Sequence, residues 1–142
     1  MSQRWHRDPE EPRLCKMFVY LNAVDESAGP FIYLPRTTRG REWGHVLPQK
    51  LPGGSYPDEK AVSELLKKVE ARVMSGPPGT VMFCDTTGLH RGGYATRKER
   101  IMFTAFYTSP WWSDSPRYAH TSESLTSLSS LDPAARYALG SS

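Results

Sequence analysis

The sequence predicts a mainly β fold with one amphipathic helix, and three observations support this prediction. Short apolar runs over residues 14–22, 31–34 and 100–108 show the period-two pattern of β-strands. Clusters of Gly, Pro and Asp lie between the runs and indicate turns. A stripe of apolar residues at helical spacing occurs between Pro57 and Gly76. The chain is therefore expected to bury a small sheet with one helix packed on it.

The first two predicted strands lie in the first quarter of the chain. Both faces of residues 14–22 are mostly apolar, which is expected of a strand covered on two sides. The second strand, Phe31-Ile32-Tyr33-Leu34, follows the turn cluster at 25–30 and stops at Pro35, which cannot continue it. Residues 37–56 are rich in Gly, Pro and Arg, and we expect them to form an excursion over the functional site.

The predicted helix begins near Pro57 or Asp58 and ends at Gly76 and the prolines that follow. Its stripe is ordinary for a surface helix, so the pattern favours a scaffold helix packed on the sheet over a partner-binding helix. Glu64 and Lys68 are expected to pair on the exposed side. The stripe consists of Val62, Leu65, Leu66, Val69 and Val73.

Two further strands are predicted in the second half of the chain. The run from Gly76 to Thr80 is similar to the start of a phosphate-binding loop, but Val81-Met82-Phe83 follows where Gly-Lys-Ser/Thr is required. The sequence therefore indicates a turn that leads into a buried strand, Val81 to Cys84, and excludes this kind of nucleotide site. Residues 100–108 alternate strictly. The face that begins at their first residue carries Arg100, Met102, Thr104 and Phe106.

Length and composition limit the class of protein. A chain of 142 residues is long enough for one domain but not for two. We predict a folded domain over residues 1–112 and a Ser/Thr-rich tail over 113–142, in which Asp132 to Leu139 forms a short helix. The net charge of +3, from 18 basic and 15 acidic residues, gives no reason to expect nucleic-acid binding.

Targeting signals and cysteines suggest a compartment. No apolar run reaches the length of a membrane span, and the N-terminus has no secretory apolar region. Cys15 and Cys84 form no C-x-x-C motif and lie in apolar runs, so buried, reduced thiols are expected. We therefore expect a cytoplasmic protein that does not bind membranes.

The residues with the most chemical information are His6 and Asp8, followed 82 positions later by His90. Two imidazoles and one carboxylate form a facial triad, which suits non-haem Fe(II) because it leaves open positions for oxygen and a co-substrate. His6 and Asp8 leave the same face of an extended segment, and His90 follows the turn signal Thr86-Thr87-Gly88. Alternatively, His6 lies in a frayed terminus and His90 is a surface histidine.

Arg100 is the preferred anion-binding residue of the sequence. Its same-face neighbours Met102 and Phe106 are apolar, so an unpaired guanidinium there is costly, and an anionic partner removes the cost. A bidentate pair with the far carboxylate of a dicarboxylic co-substrate fits this position. Arg97, in a polar turn, and Arg91, directly after the distal histidine, are the alternatives, and an exposed Arg100 without function is a third.

Other candidates are weaker. His45 and His120 have no partner at ligand spacing, so structural or exposed positions are expected, although His45 on the excursion also fits a position facing the substrate. Phe18, Tyr20 and Thr104 line a co-substrate pocket if strand alternation holds, and a packed core explains them equally well.

Four segments keep a recognisable order: WHRDPEE, KMFVYLNAVDESAGPFIYLP, PGTVMFCDTTGLHRGG and ERIMFTAFYTS. Over residues 4–110 this text resembles the phytanoyl-CoA dioxygenase-like family of Fe(II)/2-oxoglutarate-dependent oxygenases. The resemblance implies a double-stranded β-helix, which is a cupin-like jelly roll. It implies Fe(II) held by His6, Asp8 and His90, and 2-oxoglutarate as the co-substrate paired with Arg100.

The resemblance also implies an activity and a structural problem. The expected reaction is hydroxylation of a small-molecule substrate that the sequence does not identify, and Asp8 disfavours the halogenase variant, which lacks this carboxylate. Members of the family carry a long segment before the proximal histidine, whereas five residues precede His6 here. The barrel is thus expected to be truncated at its N-terminus, with apolar edges covered in a homo-oligomer or by a partner chain. The alternative is a non-catalytic metal-binding or interaction module.

Overall fold

The structure is a computed structural model that describes residues 3–48 and 56–109, together with Ser130, Asp132 and Pro133. The chain divides into two compact units, Met1–Ser109 and Pro110–Ser142. The predicted tail helix from Asp132 to Leu139 lies outside the described residues except at its first two positions. None of the helices described has the length and apolar character needed to cross a membrane.

The first unit consists of short strands with one helix between them. The strands form two antiparallel three-stranded sheets, in the orders β4-β1-β6 and β3-β2-β5. This mostly β, jelly-roll-like architecture confirms the predicted fold class. In chain order the elements are β1 Cys15–Tyr20, a 3-10 turn Glu26–Ala28, β2 Phe31–Tyr33, α1 Glu59–Leu66, β3 Arg72–Met74, β4 Val81–Asp85, β5 His90–Gly92 and β6 Met102–Tyr107.

A first core cluster fills the space between the two sheets. It joins Phe18 and Tyr20 of β1 and Met82 of β4 to Phe31 of β2, and all four side chains are buried. The rings of Phe18 and Phe31 lie 4.8 Å apart, which is contact distance for aromatic side chains. Strand alternation therefore directs the even-numbered residues of β1 inward. Its other face, which was expected to be covered as well, is only partly buried.

A second core cluster lies beside the β3-β2-β5 sheet. Leu65 of α1 and Val69 pack against Leu34, which follows β2, and Leu89, which precedes β5. These four side chains are at most 3% exposed. The cluster packs α1 against the end of β2 and the start of β5, the strand that begins with His90. Partly buried side chains around it are Trp5, Trp43, Val46, Leu47 and Ala71.

The helix begins as predicted but is shorter. The Asp58 carboxylate caps it by accepting hydrogen bonds from the backbone N–H groups of Lys60 and Ala61, at 3.0 and 3.2 Å. It ends at Leu66 rather than near Gly76, and Val73 belongs to β3, opposite Ile32. The spacing of four residues that suggested a longer helix is also a multiple of two, so it fits a strand equally well.

Two other details of the prediction were wrong. Glu64 pairs with Lys67, not Lys68, across one helical turn. The strand at Val81–Asp85 exists, but it is an edge strand on which Val81 and Phe83 are more than half exposed. An apolar run alone does not distinguish a central strand from an edge strand whose outer face is uncovered.

The last strand starts two residues later than predicted. β6 begins at Met102 because the side chain of Asn22 replaces strand pairing at its entrance. Its Oδ1 accepts the N–H of Ile101 at 2.9 Å, and its Nδ2 donates to the carbonyl oxygen of Glu99 at 2.8 Å. Arg100 therefore lies in the segment that leads into the strand.

Candidate metal centre

A short antiparallel bridge brings the two histidines together. The backbone N–H of His6 donates to the carbonyl oxygen of His90, and the reverse bond is also formed, both at 3.0 Å. The backbone N–H of Asp8 donates to the carbonyl oxygen of Thr86, also at 3.0 Å. Residues 6–8 thus form an extended segment beside β5 and the preceding turn. The Asp85 carboxylate shapes that turn by accepting bonds from the N–H and hydroxyl of Thr87.

The three predicted ligands converge on one point. One donor atom from each of His6, Asp8 and His90 lies within 4.8 Å of the others. The Nε2 atom of His6 is 3.7 Å from Oδ1 of Asp8, and that of His90 is 3.6 Å from Oδ2. Ligand–metal bonds of about 2.1 Å place neighbouring donor atoms roughly 3–3.5 Å apart. The donor set therefore suits a single metal ion, and the donor atoms would move slightly closer together to bind it.

Backbone carbonyl groups fix the orientation of both imidazoles. Nδ1 of His6 is 2.7 Å from the carbonyl oxygen of Arg4, and Nδ1 of His90 is 2.9 Å from that of Gly88. Because a carbonyl oxygen only accepts, each Nδ1 carries the proton and each Nε2 offers a lone pair. This outer hydrogen bond is the usual arrangement around metal-bound histidines.

The charge states of Asp8 and His90 are those that a metal requires. Burial lowers the pKa of His90 to about 4, against the opposing effect of the Asp8 carboxylate, so the ring is neutral. Burial by itself would raise the pKa of Asp8, but the hydrogen bonds from Lys16 and Thr86 and the charge of Lys16 keep it below its usual value. A neutral imidazole next to an ionised carboxylate is ready to bind a cation without first releasing a proton.

Lys16 is a functional candidate that the sequence reasoning missed. Its ammonium group lies 2.7 Å from Oδ2 of Asp8 and 3.3 Å from Oε1 of Glu10, with the ring of Phe106 5.9 Å away. Lys16 shares the inward face of β1 with Phe18, so its charge is mostly buried. The sequence did contain a signal, which is a lysine at an inward position of an apolar strand.

Arg7 is the second missed residue, and it lies between two of the candidate ligands. It is 2% exposed, although an arginine in a polar N-terminal segment usually indicates a solvated side chain. Burial lowers the pKa of its guanidinium to about 10, which leaves it charged near neutral pH. No residue pattern indicates its partners, because they are backbone carbonyl groups of distant segments.

Arg100 does not lie among the metal ligands. Its guanidinium donates to the carbonyl oxygen of Gly29. Burial raises the pKa of the Tyr20 hydroxyl, and the positive charge of Arg100 opposes this rise. Two residues after Gly29, the ring of Phe31 packs on His90 at 5.5 Å. The segment 29–31 therefore contacts both Arg100 and a candidate ligand.

Gly29 is required at this position. Its φ of +68° is left-handed, and a Cβ would lie 2.6 Å from the carbonyl oxygen of Gly93. A side chain at position 29 would therefore displace the backbone that supports Arg100.

The remaining candidates lie elsewhere. His45 is exposed and lies outside the metal-ligand group found among the described residues, and His120 falls in the part of the chain that the structure does not describe. The guanidinium of Arg91 stacks over Trp5, 5.4 Å from its centroid. Arg97 lies in an exposed turn, as predicted.

Of the predicted pocket residues, Phe18 and Tyr20 are part of the first core cluster, and Thr104 is exposed. Tyr20 donates to the carbonyl oxygen of Met74 at 2.6 Å and accepts from the N–H of Phe31 at 3.1 Å. Packing and these hydrogen bonds account for Tyr20 without a ligand.

No family model matches the chain, and no curated protein matches it. Two solved structures similar to it are both of EctD from S. alaskensis. One, with bound Fe, is 23% identical with a TM-score of 0.54, and the match covers 72% of this chain and 37% of that one. The other, with 2-oxoglutarate and 5-hydroxyectoine, is 21% identical with a TM-score of 0.54, covering 73% and 36%.

This likeness identifies the fold rather than the activity. At these identities, an unrelated function on the same jelly roll remains common. The chain also spans little more than a third of the length of the solved structures that it matches. The two sheets are arranged as in a cupin-like jelly roll.

Proposed function

We propose that this chain is an Fe(II)/2-oxoglutarate-dependent dioxygenase of the phytanoyl-CoA dioxygenase-like type, which hydroxylates a small molecule. The observation that carries the proposal is the grouping of His6, Asp8 and His90, whose donor atoms lie within 4.8 Å of one another, while both Nδ1 atoms bond to backbone carbonyl groups and leave Nε2 available. Support also comes from the jelly-roll fold and from the ligands of its EctD neighbours, Fe and 2-oxoglutarate. The reduced cysteines suit a cytoplasmic location, where iron is kept ferrous.

The protein's own residues contribute binding and orientation. His6, Asp8 and His90 would hold the ion on one face and leave its other face open. With 2-oxoglutarate and O₂ as co-substrates, bound Fe(II) would supply the oxidation, which converts a substrate C–H group to C–OH and 2-oxoglutarate to succinate and CO₂. Phe31 packs against the ring of His90 and thereby keeps water from one side of this ligand.

Arg100 is the proposed partner of the far carboxylate of 2-oxoglutarate. Its guanidinium is half-buried and donates to the carbonyl oxygen of Gly29, a neutral acceptor. A carboxylate is the stronger partner for such a group, since charge-assisted bonds are about twice as strong as neutral ones. Support comes from segment 29–31, which contacts Arg100 through Gly29 and His90 through Phe31.

The metal site is tested by titrating the folded protein anaerobically with Fe(II), or with Co(II) as a stable surrogate. We expect one ion per chain and loss of binding in His90→Ala, because two remaining donors are too few to hold the ion. His45→Ala is the matched control and should bind normally. Unchanged stoichiometry in alanine variants at all three ligand positions would refute the triad.

Arg100 is tested separately from the metal. Arg100→Ala should weaken 2-oxoglutarate binding by on the order of 2–5 kcal/mol, because it leaves a desolvated carboxylate unpaired. Metal binding should not change, and Arg97→Ala should be near neutral. The reverse ranking of the two variants would mean that the co-substrate arginine has been assigned incorrectly.

A non-catalytic metal-binding module is the second candidate function. The observation in its favour is that the Arg100 guanidinium already has a backbone partner, the carbonyl oxygen of Gly29. Succinate production that depends on both O₂ and 2-oxoglutarate separates the two functions. Stoichiometric metal binding without such turnover would favour the module.

A further inference from the structure

The guanidinium of Arg7 joins both ends of one surface segment. It donates to the carbonyl oxygen of Thr37 near the start of residues 36–48, and to those of Val46 and Leu47 near the end, the last two at 3.2 and 2.7 Å. It also donates to the carbonyl oxygen of Thr87, in the turn before β5. One buried side chain therefore closes the 36–48 segment and connects it to the metal-ligand region.

Thr37 also connects the 36–48 segment to the metal-ligand region, through the residue that precedes His90. Its hydroxyl accepts the backbone N–H of Leu89 at 2.8 Å and donates to the carbonyl oxygen of Leu34 at 2.7 Å. Thr37 is fully buried. Since Leu89 directly precedes His90, the 36–48 segment is bonded next to His90 as well as between His6 and Asp8.

The backbone of this segment is strained at the points where it is held. Arg36 and Leu47 have φ values of 62° and 54°, in the left-handed region that non-glycine residues rarely adopt. Such conformations cost about 1–3 kcal/mol each and persist only where the surroundings impose them. Arg7 supplies that constraint, because it bonds to Thr37, which directly follows Arg36, and to Leu47 itself.

Side-chain packing adds to the attachment. Trp43, Val46 and Leu47 lie against the second core cluster, which includes Leu89. The segment is thus bound by hydrogen bonds to Arg7 and by apolar contact near His90.

We propose that Arg7 is a positioning residue that couples metal binding at His6, Asp8 and His90 to the ordered conformation of the 36–48 segment. The coupling rests on the proposed metal site. An ion that fixes His6 and Asp8 also fixes the backbone of Arg7 between them, and therefore the carbonyl groups that its guanidinium holds. By thermodynamic linkage, an ordered segment must raise metal affinity by the same factor as the metal stabilises the segment.

Limited trypsin digestion measures the order of the segment directly. Arg39 and Arg41 are exposed cleavage sites within it, and mass spectrometry separates these cuts from cuts elsewhere. In the unaltered protein, Co(II) should slow cleavage at both sites about tenfold, which is within the usual range of coupling between sites. A melting curve for each variant separates this local effect from global unfolding.

Arg7→Lys removes the fork of donors but keeps the charge. We expect cleavage at Arg39 and Arg41 to be about tenfold faster without metal, and Co(II) affinity to be about tenfold weaker. Arg36→Lys is the matched control, because Arg36 belongs to the same segment but pairs with exposed Glu42. It should change neither quantity.

Thr37→Val tests the same coupling without altering a charge, in case Arg7→Lys does not fold. It should show a smaller effect of the same sign on cleavage and on Co(II) affinity, and Thr37→Ser, which keeps the hydroxyl, should restore both. Equal effects of Arg7→Lys and Arg36→Lys, or faster cleavage with unchanged Co(II) affinity, would overturn the coupling alone. Failure of the unaltered protein to bind Co(II) would overturn both the coupling and the proposed function.

Discussion

The two sheets differ in what covers their outer sides and in what they contribute to the site. Beside the β3-β2-β5 sheet, the second core cluster packs α1 and the 36–48 segment around Leu34 and Leu89. This side also carries the candidate ligands, through the pairing of His6 with His90. The β4-β1-β6 sheet contributes Lys16 and Phe18 to the interior, but its outer face, here called the uncovered face, carries exposed apolar side chains such as Phe83 and Phe103.

The uncovered face follows from strand register. Met17 of β1 lies opposite Phe83 of β4, and Val19 lies opposite Val81 and Phe103. These residues point away from the face that buries Phe18. Phe83 is 68% exposed and Phe103 51%. Stability and ligand geometry should therefore depend mainly on one sheet, and association mainly on the other.

The largest effect should come from the covered side. Leu65→Ala removes a 2%-exposed side chain from the second core cluster and should lower the free energy of unfolding by about 2–5 kcal/mol, through lost burial and a cavity. The neighbouring Leu66, which is 38% exposed, is the matched control, and Leu66→Ala should cost clearly less. Urea unfolding at matched concentration measures both. Equal losses would show that α1 does not close this side of the fold.

The sequence predicted the parts of the fold that depend on local pattern. Strand alternation located both ends of β1, β2 and β6 within two residues, and Asp58 correctly marked the start of α1. It missed β3, because Val69 and Val73 fit helical and strand spacing equally well. Exposure of Phe83 was not predictable either, since it depends on what else packs against the sheet.

For the site, the sequence predicted which side chains are chemically suited but not how they are held. The grouping of His6, Asp8 and His90 follows the predicted extended segment and turn. The supports of these ligands are long-range contacts, such as Arg7 with carbonyl groups 30 to 80 residues away. Backbone carbonyl groups are present at every residue, so no residue type identifies such partners in advance.

Lys16 belongs to the β4-β1-β6 sheet and contacts the candidate ligand Asp8. Its replacement should lower the stability of the metal-free protein but increase its affinity for Co(II). Lys16→Met removes a mostly buried partner of Asp8, so the metal-free protein should lose on the order of 1–3 kcal/mol of stability. Co(II) affinity should increase, because a nearby cation no longer repels the ion or occupies Oδ2 of Asp8. Calorimetric titration and melting of the same samples measure both. Weaker Co(II) binding would instead show that Lys16 mainly orients the carboxylate.

Substitutions on the outer face of the β4-β1-β6 sheet should have the smallest effect on the stability of the single chain. They should have the clearest effect on its association. Large apolar side chains that are about half exposed or more lie on this face and at its rim: Leu21, Val81, Phe83, Ile101, Phe103 and Tyr107. Exposed apolar side chains favour association, and within the described residues β4 and β6 are the edge strands of this sheet, which can pair with another chain. We therefore expect the chain to self-associate at micromolar concentration.

Replacing both Phe83 and Phe103 with Lys should shift the chain toward the monomer in multi-angle light scattering, because burying two ammonium groups in a contact is costly. Each substitution should change unfolding free energy by only about 0.5 kcal/mol, as is usual for exposed positions. Co(II) binding should be unaffected, since neither side chain faces the ligands. Tyr94→Lys is the matched control, because Tyr94 is 60% exposed but lies outside this sheet. A monodisperse monomer before any substitution would show that the uncovered face does not drive association.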